Sequence, residues 1–462
     1  MAALTGWAVD VVTRSASVET PGRFGPDEVR EWFSALAAHT GVQVNRAPLD
    51  GLEGWDEAPG TGDIGHHSGG FFSVRGLQVR DPDNREEPGW SQPIIDQPEI
   101  GVLGILIKEF DGVPYLLMQA KMEPGNVNLI QLSPTVQATR SNYTGVHRGR
   151  SVPYVEYFLD PPARSVLADS LQSEQGSWFL RKHNRNMVVL AGDEDVPLRE
   201  GFCWLTLKQV HELLAEDDLV NMDTRTVLSC LPSHTRDPDD GALLPMSEIL
   251  STITAARSRT TMSASPVPLR TIEGWHRTAG EIRHREDRHF RVIGVDVATR
   301  GREVRKWSQP MIEPRGLGLA AVVTRRANGV PHLLLRTTAE PGLRETVELG
   351  PTLQCEDEIG SGSRRSWSDG MSKAAGSRIL FDAVQSEEGG RFFHARTRNL
   401  VVERGERPLP EEDLPDHLWV SLPQVDALLR HSHYLNIQAR SLVACVRSLS
   451  GLSGLHGPPA DG

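Results

Sequence analysis

The stretch WSQPII at residues 90–95 recurs as WSQPMI at residues 307–312, an offset of 217 residues. Other short stretches recur in the same order at nearly the same offset: GVP at 112–114 and 329–331, EPG at 123–125 and 340–342, QSE at 172–174 and 385–387, and RN at 185–186 and 398–399. Ordered matches at a nearly constant spacing are the signature of an internal repeat. The chain therefore contains two diverged copies of one domain.

The two copies meet near the middle of the chain. The first runs from about Pro26 to Thr235 and the second from about Pro245 to Leu452, and the polar, turn-rich stretch RDPDDG at 236–241 joins them. A chain of 462 residues is also too long for one ordinary core. We therefore predict a first domain over residues 1–235, with an N-terminal extension, and a second domain over residues 245–462.

Local patterns predict the same kinds of element in each copy. Apolar residues at helical spacing predict helices over residues 27–39 and 207–216, and strands are predicted at 71–79 and within 127–138 and 178–190. Residues 101–108 and 114–121 flank Asp111-Gly112, a dipeptide typical of β-hairpin turns. Each copy is therefore predicted to be α+β, a mixed β-sheet with flanking helices.

Bulk composition excludes several classes of protein. No apolar run approaches the roughly 18 residues of a membrane-spanning helix, and the first ten residues do not resemble a signal peptide. The formal net charge of −12 disfavours a nucleic-acid partner. The four cysteines are far apart and lack C-x-x-C spacing, which argues against a disulfide framework and favours a reducing, cytoplasmic location.

Reactive side chains are most concentrated between Gln131 and Tyr157, where a predicted strand leads into a polar, glycine-containing loop. Arginine guanidinium groups pair with phosphate oxygens, whereas tyrosine and histidine are suited to proton transfer. The residues that we predict to be catalytic, three from this loop and one upstream, are Tyr143, His147, Glu156 and Glu123. Those predicted to hold a diphosphate and its sugar are Gln137, Ala138, Thr139, Arg140, Ser141, Arg148 and Arg150. The alternative is an ordinary solvated loop.

The second copy departs from the first within this loop. It keeps LGPTLQ at 349–354 but continues as CEDEIG at 355–360, without the Asn-Tyr and His-Arg-Gly-Arg features of the first copy. We therefore predict that the first copy is catalytic and that the second holds a vestigial site. Gln354 and Asp357 are the ligand-contacting residues expected there.

Further candidates occur at matching places in both copies. Trp55 and Trp275 each follow a glycine in polar surroundings, so they are either platforms for a base or sugar, or side chains that cover the edge of the core. Four polar side chains from retained stretches are candidate ligand contacts, with a buried structural network as the alternative: Ser173, Gln385, Arg398 and Asn399.

Several common sites are not indicated by the sequence. The adjacent His66 and His67 have no third ligand at helical spacing, so we predict no metal site. Neither a G-x-x-x-x-G-K-[ST] motif nor a convincing G-x-G-x-x-G after a strand occurs, which disfavours P-loop and Rossmann cofactor sites, and no G-x-S-x-G elbow occurs.

Three stretches resemble the NDP-hexose 2,3-dehydratase family: WSQPII at 90–95, KMEPGN at 121–126 and the run from Gln131 to Arg150. The resemblance covers nearly the whole chain, duplication included. It implies a Nudix-like fold in each half, a homodimer and a role in the deoxysugar pathways of antibiotic biosynthesis. The implied substrate is dTDP-4-keto-6-deoxy-D-glucose and the implied product is dTDP-3,4-diketo-2,6-dideoxy-D-glucose. A pathway 3-ketoreductase or aminotransferase would then act on that product, and no cofactor is expected.

Two other functions remain open at this point. The chain could be a non-catalytic dTDP-sugar-binding protein on a duplicated Nudix-like scaffold. It could also be a Nudix-type pyrophosphohydrolase, although the glutamate-rich box that binds the catalytic metal in those enzymes occurs in neither copy. We take the dehydratase, a hydro-lyase, as the principal hypothesis.

Overall fold

Two small antiparallel sheets and two larger mixed sheets, flanked by helices, make up the fold. The computed structural model describes residues 2–18, 26–84, 88–139, 152–299, 306–356, 377–404, 414 and 416–449. Strands and helices thus share each copy, which confirms the predicted α+β class. The Nudix-like relationship stays a prediction.

The helices surround the sheets and are, in chain order, α1 (Ala2–Ala16), α2 (Pro26–Thr40), α3 (Glu156–Leu159), α4 (Leu207–Leu214), α5 (Met222–Ser229), α6 (Met246–Arg259), α7 (Leu422–Leu429) and α8 (Ile437–Ser448). Within the described part of the chain, none of them is both long and apolar enough to cross a membrane.

The strands of the first copy are β1 (Gln43–Ala47), β2 (Trp55–Glu57), β3 (Ile64–His66), β4 (Ser73–Arg80), β5 (Gly89–Asp96), β6 (Gly101–Phe110), β7 (Val113–Met122), β8 (Ile130–Ser133), β9 (Val136–Ala138), β10 (Val166–Ser173), β11 (His183–Leu190) and β12 (Phe202–Leu205). Those of the second copy are β13 (Ser263–Val267), β14 (Trp275–Arg277), β15 (Glu281–His284), β16 (Phe290–Ala298), β17 (Lys306–Pro314), β18 (Gly318–Ala327), β19 (Val330–Ala339), β20 (Val347–Gly350), β21 (Leu353–Cys355), β22 (Arg378–Ser386), β23 (Arg396–Glu403) and β24 (His417–Ser421).

The two large sheets have the same topology. In the first copy β6 pairs antiparallel with β7 and parallel with β11, and in the second copy β18 pairs antiparallel with β19 and parallel with β23. Strands β8, β9, β10 and β12 complete the first sheet, as β20, β21, β22 and β24 complete the second. One parallel pair inside an otherwise antiparallel sheet makes each large sheet mixed, as predicted.

The small sheets exchange a strand between the copies. Strand β1 pairs with β16 of the second copy, and β13 pairs with β4 of the first. The exchanged strands lie close to a glycine on the other copy: a Cβ at Gly294 would lie 2.5 Å from the carbonyl oxygen of Ala47, and one at Gly76 would lie 2.8 Å from that of Val267. Units that are separate in sequence are therefore interwoven in space.

Local sequence signals account for many of the element ends. The hairpin turns Asp111-Gly112 and Asn328-Gly329 have positive φ at both residues, as a type I′ turn requires. Helices α4 and α7 begin with capping boxes, in which Thr206 with Gln209 and Ser421 with Gln424 satisfy the first amide groups. Helices α5 and α8 begin after the N-cap residues Asn221 and Asn436.

Two fully buried arginines tie the copies together. Arg225 on α5 donates to the carbonyl oxygens of Val220 and Ser386, and Arg440 on α8 donates to those of Leu435 and Ser173. Each guanidinium group thus holds the end of a strand in the other copy. Because the donors of a buried guanidinium need partners, these contacts fix how the two copies meet.

Candidate functional site

A polar cavity of about 150 Å³ lies where the first copy meets a loop of the second. We call it the first cavity. Its lining includes, from the first copy, Gln97, Lys121, Glu123, Gln137, Ala138, Thr139, Glu174, Lys182, Asn184 and Asp223, and, from the loop between β22 and β23, Glu388, Gly390 and Arg391. The site is therefore composite, since neither copy supplies all of its charged groups.

Backbone contacts hold the loop of the second copy against the first cavity. The amide of Gly125 donates to the carbonyl oxygen of Gly389 over 2.8 Å, and the amide of His394 donates to that of Gly125 over 2.7 Å. A Cβ at Gly125 would lie 1.8 Å from the carbonyl oxygen of Phe392. Only glycine allows the two backbones to come this close. Gly125 of the retained EPG stretch therefore holds the loop that carries Glu388 and Arg391.

A hydrogen-bond network fixes one wall of the first cavity. The Gln137 amide donates to Glu123 Oε1 over 2.8 Å and accepts from Ser133 Oγ over 2.9 Å and from Asn221 over 3.2 Å. Because its oxygen receives two donors, the Gln137 nitrogen is directed at the Glu123 carboxylate.

Cationic groups stand among these acids. Lys182 is buried and its Nζ donates to the carbonyl oxygen of Glu99. Burial lowers the pKa of Lys182 to about 8, although the nearby Glu174 carboxylate opposes that shift. Lys121 Nζ donates to the carbonyl oxygen of Gln137 over 3.1 Å and lies 4.0 Å from Glu123 Oε1.

Three of the carboxyl groups have raised pKa values. Enclosure in the cavity raises the pKa of Glu388 to about 7. Burial raises the pKa of Asp223 well above its ordinary value, and repulsion from Glu174, Glu123 and Glu388 adds to that shift. Burial also raises the pKa of Glu174, whose Oε1 accepts from Asn184 over 2.6 Å. Raised pKa values suit carboxyl groups to proton transfer near neutral pH.

A larger groove of about 600 Å³ opens beside the first cavity. Its aromatic lining comes from Trp55, Phe71, Phe72 and Trp307, and it shares Arg391 with the first cavity. The guanidinium group of Arg391 lies 4.3 Å from the centre of the Phe72 ring, and its Nε donates to Gln97 over 3.2 Å. We call this space the first groove. The Arg391 guanidinium group therefore lies at the junction between the polar first cavity and the aromatic first groove.

The duplication creates a counterpart of each space. A second cavity of about 30 Å³ is lined by Glu340, Gln354 and Glu387 of the second copy and by Gln175 and Trp178 of the first. A second groove of about 580 Å³ contains Trp90 and Trp275. The second cavity keeps the glutamine–glutamate contact, with Gln354 donating to Glu340 over 3.3 Å. The copies thus share a scaffold, but the second cavity is smaller.

The two cavities differ most in their charged groups. Five charged residues of the first cavity have uncharged counterparts in the second copy or its partner loop: Lys121 matches Thr338, Lys182 matches Ala395, Asp223 matches Gln438, Glu388 matches Gln175 and Arg391 matches Trp178. Glu123 and Glu174, in contrast, have the counterparts Glu340 and Glu387. A reaction that is catalysed only in the first cavity would therefore depend on the five charged side chains that the second cavity lacks.

The structure brings together some of the predicted site residues. Glu123, Gln137, Ala138 and Thr139 line the first cavity, and Gln354 lines the second. Glu156 is exposed at the start of α3 and is not among the residues that line either cavity. Seven predicted residues lie outside the described residues: Arg140, Ser141, Tyr143, His147, Arg148, Arg150 and Asp357.

Other predicted residues take part in contacts within the protein. Ser173 Oγ donates to Glu348 of the second copy over 2.6 Å, and Gln385 donates to the carbonyl oxygen of Leu214 in the first. Arg398 forms a two-pronged ion pair with Asp382, with distances of 2.7 and 2.6 Å. The Asn399 amide donates to the carbonyl oxygen of Thr397. The buried contacts of Ser173, Gln385 and Asn399 correspond to the structural alternative given above, whereas the ion pair of Arg398 is exposed.

Both repeat tryptophans are buried. The indole nitrogen of Trp55, which is 9% exposed, donates to the carbonyl oxygen of Ser308, and that of Trp275 donates to the carbonyl oxygen of Ser91. Each ring thus joins the small sheet of its own copy to a strand of the other, and an edge of each also borders a groove. Trp307 is less buried and borders the first groove too.

Sequence reasoning missed Lys182, Asp223, Glu388 and Arg391. No motif marks these residues, and they come from three separate segments of the chain. A signal was nevertheless present: when the copies are aligned, each of the four stands opposite an uncharged residue. Among the described residues, no three His, Cys, Asp or Glu side chains are placed to hold a metal ion.

Comparisons with known proteins agree on one family. A family model described as NDP-hexose 2,3-dehydratase matches the chain twice, over residues 26–231 and 246–446. A protein of Amycolatopsis orientalis named dTDP-4-dehydro-6-deoxy-alpha-D-glucopyranose 2,3-dehydratase is 44% identical, covering 95% of this chain and 94% of the relative. Proteins with the same name from Streptomyces violaceoruber and Saccharopolyspora spinosa are 47% and 44% identical, covering 90% and 93% of this chain and 96% and 93% of the relatives.

Proposed function

The chain belongs to the NDP-hexose 2,3-dehydratase family, and from this premise we propose that it dehydrates dTDP-4-dehydro-6-deoxy-D-glucose, also written dTDP-4-keto-6-deoxy-D-glucose, across carbons 2 and 3. The product is dTDP-3,4-diketo-2,6-dideoxy-D-glucose. The enzyme is thus a carbon–oxygen lyase.

The chemistry requires a base, an acid and stabilisation of an enolate. The ketone at carbon 4 acidifies the hydrogen on carbon 3, so a base can remove that proton and leave an enolate. The enolate then re-forms the ketone as the hydroxyl group on carbon 2 leaves with a proton from an acid. The resulting enol tautomerises to the 3,4-diketone. Water is lost without net oxidation or reduction, so the balance needs no electron carrier.

The observation that carries this proposal is the combination of groups in the first cavity. Its carboxyl groups, three of which have raised pKa values, supply the acid and the base, and the Lys182 ammonium group supplies a positive charge for the enolate oxygen. Each proton-transfer group contributes about 10²–10⁴ in rate. Fixed donors to a developing oxyanion contribute roughly 3–4 kcal/mol more.

The nucleotide is proposed to occupy the first groove. Its aromatic lining suits a thymine ring, since a base stacked on an aromatic side chain gains roughly 1–3 kcal/mol. Arg391 at the junction then meets the diphosphate, because a guanidinium fork matches phosphate oxygens in pairs. The sugar attached to that diphosphate extends into the first cavity.

We also propose that the chain segment after Thr139 contributes to this site. Thr139 lines the first cavity and is followed directly in the chain by the segment that contains Arg140, Tyr143 and His147. Its arginines are proposed to add to the diphosphate contacts, and Tyr143 or His147 to add to proton transfer. We also propose that the first copy is the catalytic one and that the second retains a vestigial site, because the charged groups of the first cavity lack counterparts in the second.

Several broader expectations belong to the same proposal. A Nudix-like scaffold, a homodimer, a cytoplasmic location and a role in deoxysugar formation for an antibiotic follow from the family resemblance. The product is a reactive 1,2-dicarbonyl compound, so a partner enzyme, a 3-ketoreductase or an aminotransferase, is expected to consume it.

The proposed function is tested by incubating the purified chain with dTDP-4-dehydro-6-deoxy-D-glucose and no added metal or nicotinamide. We expect loss of the substrate and formation of a trapped product lighter by one water molecule, detected by mass spectrometry. The competing hypothesis, a non-catalytic dTDP-sugar-binding protein, predicts measurable dTDP binding and unchanged substrate in the same tubes.

A further inference from the structure

We propose that Asp223 of the first copy and Glu388 of the second form the proton-transfer pair of the dehydration. The inference rests on the proposed function and adds to it the identity of the acid and the base. It also gives the second copy a role, because that copy supplies half of the pair.

A comparison of the two cavities selects these residues. Among the described residues, four carboxyl groups line the first cavity, but Glu123 and Glu174 have glutamate counterparts that line the second. If the second cavity has lost the reaction, the groups that are needed only for that reaction are expected to be absent from the second cavity. Asp223 and Glu388 meet that condition, since their counterparts are Gln438 and Gln175.

The hydrogen bonds of these acids leave an oxygen available on Glu388. Glu123 Oε1 accepts from Gln137 and Glu174 Oε1 accepts from Asn184. The buried Oε2 of Glu174 has no hydrogen-bond partner among the described residues, so the comparison of the two cavities, and not hydrogen bonding, sets Glu174 aside. Glu388 Oε1 accepts from the amide of Gly390 over 3.1 Å, whereas its Oε2 is buried and has no hydrogen-bond partner among the described residues. That oxygen is free to bind a substrate hydroxyl group or to take a proton.

Both side chains are held by rigid parts of the fold. Asp223 is the second residue of α5, whose first turn is fixed by the Asn221 cap and whose Arg225 is anchored to Ser386. Glu388 lies in the loop that Gly125 holds against the first copy. The contact of Arg225 with Ser386 joins the two supports, so both members of the pair are positioned by the same inter-copy interface.

One proton shared by the pair balances the reaction. The ionised member takes the proton from carbon 3, and the electrons of that C–H bond form the enolate. The protonated member gives its proton to the hydroxyl group on carbon 2 as the C–O bond breaks, and water leaves. The pair again holds one proton, with its members exchanged, and can then move a proton to carbon 2 and accept one from the enol.

The surroundings of the pair favour a single shared proton near neutral pH. In the part of the chain that the structure describes, the charged groups that face it are Lys121, Glu123, Glu174, Lys182 and Arg391. Burial and mutual repulsion of the acids oppose a second negative charge, whereas the cations oppose full protonation. We therefore expect a bell-shaped dependence of kcat/KM on pH, whose two limbs belong to the pair as a unit.

The test uses the full-length variants Asp223→Asn and Glu388→Gln. The first copy already carries a glutamine, Gln175, at the position equivalent to Glu388, so this exchange is compatible with the fold. We expect kcat to fall at least a hundredfold in each variant, with dTDP affinity within about threefold of the wild type by calorimetry. Glu388→Gln should also abolish the bell-shaped profile. Turnover within tenfold of the wild type in either folded variant would overturn the assignment.

Matched controls come from the second cavity. The conservative changes Gln438→Asn and Gln175→Asn, at the counterpart positions, should leave kcat within about threefold. Wild-type protein that does not turn over the substrate would refute the proposed function itself, whereas active wild type together with active pair variants would refute only this inference.

Hydrogen exchange separates the base from the acid. In deuterated water, a variant that lacks the acid should still exchange the hydrogen on carbon 3 without eliminating water, whereas one that lacks the base should do neither. We expect exactly one of the two variants to retain exchange, measured by proton NMR. If both variants failed to eliminate water but still exchanged the hydrogen on carbon 3 at the wild-type rate, the assignment of the pair would be contradicted.

Discussion

Arg391 shows how a single side chain distinguishes the two copies. It stands between the first cavity and the first groove, and its counterpart in the alignment of the copies is Trp178. We expect Arg391→Ala to weaken dTDP binding by about tenfold to a hundredfold, because hydrogen bonds to charged groups contribute about 1.5–3 kcal/mol each. Thymidine, which lacks the diphosphate, should bind with nearly unchanged affinity, as measured by calorimetry.

Arg398 supplies the matched control for that change. Its place in a retained stretch makes Arg398 a candidate ligand contact, and in the structure its guanidinium group pairs with Asp382 on the neighbouring strand. Removal of one exposed ion pair of this kind costs little stability. Arg398→Ala should therefore bind dTDP within twofold of the wild type. Equal losses from the two variants would instead support a ligand role for Arg398 and weaken the place given to Arg391.

Single residues also show where prediction from the sequence ends. Gln137, Thr139 and Glu123 were predicted as site residues because they belong to a dense polar segment or to the stretch that resembles the family, and they do line the first cavity. Glu388 and Arg391 lie far along the chain in a segment without such a signal. Their contribution depends on how the copies dock, which local sequence does not specify.

Among the structural elements, the loop between β22 and β23 depends on one glycine of the first copy. A Cβ at Gly125 would overlap the carbonyl oxygen of Phe392 and approach that of Gly389. We expect Gly125→Ala to push this loop away from the first cavity and to lower kcat/KM by tenfold or more. Overpacking of this kind costs about 1–3 kcal/mol, so thermal unfolding should show a folded but less stable protein.

Gly60 provides the control for the added methyl group. A Cβ there meets no atom within 4 Å, and its backbone is not among those with positive φ. Gly60→Ala should leave both kcat/KM and the melting temperature nearly unchanged. If the Gly125→Ala protein kept wild-type activity, the close contact between Gly125 and the loop between β22 and β23 would not be needed for activity in the first cavity.

Elements with strong local signals were predicted well. The helices over 27–39 and 207–216 correspond to α2 and α4, and the hairpin around Asp111-Gly112 corresponds to β6 and β7. The strand predicted at 71–79 corresponds to β4, and that within 178–190 to β11. The region 127–138 contains two short strands rather than one, because a reversal separates β8 on one neighbour from β9 on another.

The strand exchange was beyond the reach of these patterns. Strands β1 and β13 have the same place in their copies, and their alternation of side chains suits either small sheet. Only the three-dimensional arrangement shows that each pairs with the opposite copy. The repeat therefore predicts two similar units but not how their strands are shared.

For the whole molecule, the exchange and the composite cavity predict that the copies cannot act apart. Residues 1–235 alone lack Glu388, Arg391 and the strand β13, and residues 245–462 alone lack β1. Each fragment would expose an unpaired sheet edge, which favours aggregation. We expect neither fragment to show turnover or a cooperative melt, whereas co-expression should restore turnover in a one-to-one complex.

The controls for this experiment are the intact chain and a chain cut by protease within the linker at 236–241. The cut chain keeps both copies in contact and should remain active. A first fragment that folds alone and dehydrates the substrate would show that the second copy is dispensable, and would remove Glu388 and Arg391 from the site.

The most direct test of the central claim, a single composite site in the first cavity, is a crystal structure with dTDP bound. We predict electron density for the thymine ring against Phe71 and Trp307 of the first groove, and for the diphosphate within hydrogen-bonding distance of the Arg391 guanidinium group. The terminal phosphate, to which the sugar is attached in the substrate, should point at Asp223 and Glu388. Density for dTDP only in the second groove, beside Trp90 and Trp275, would contradict the account.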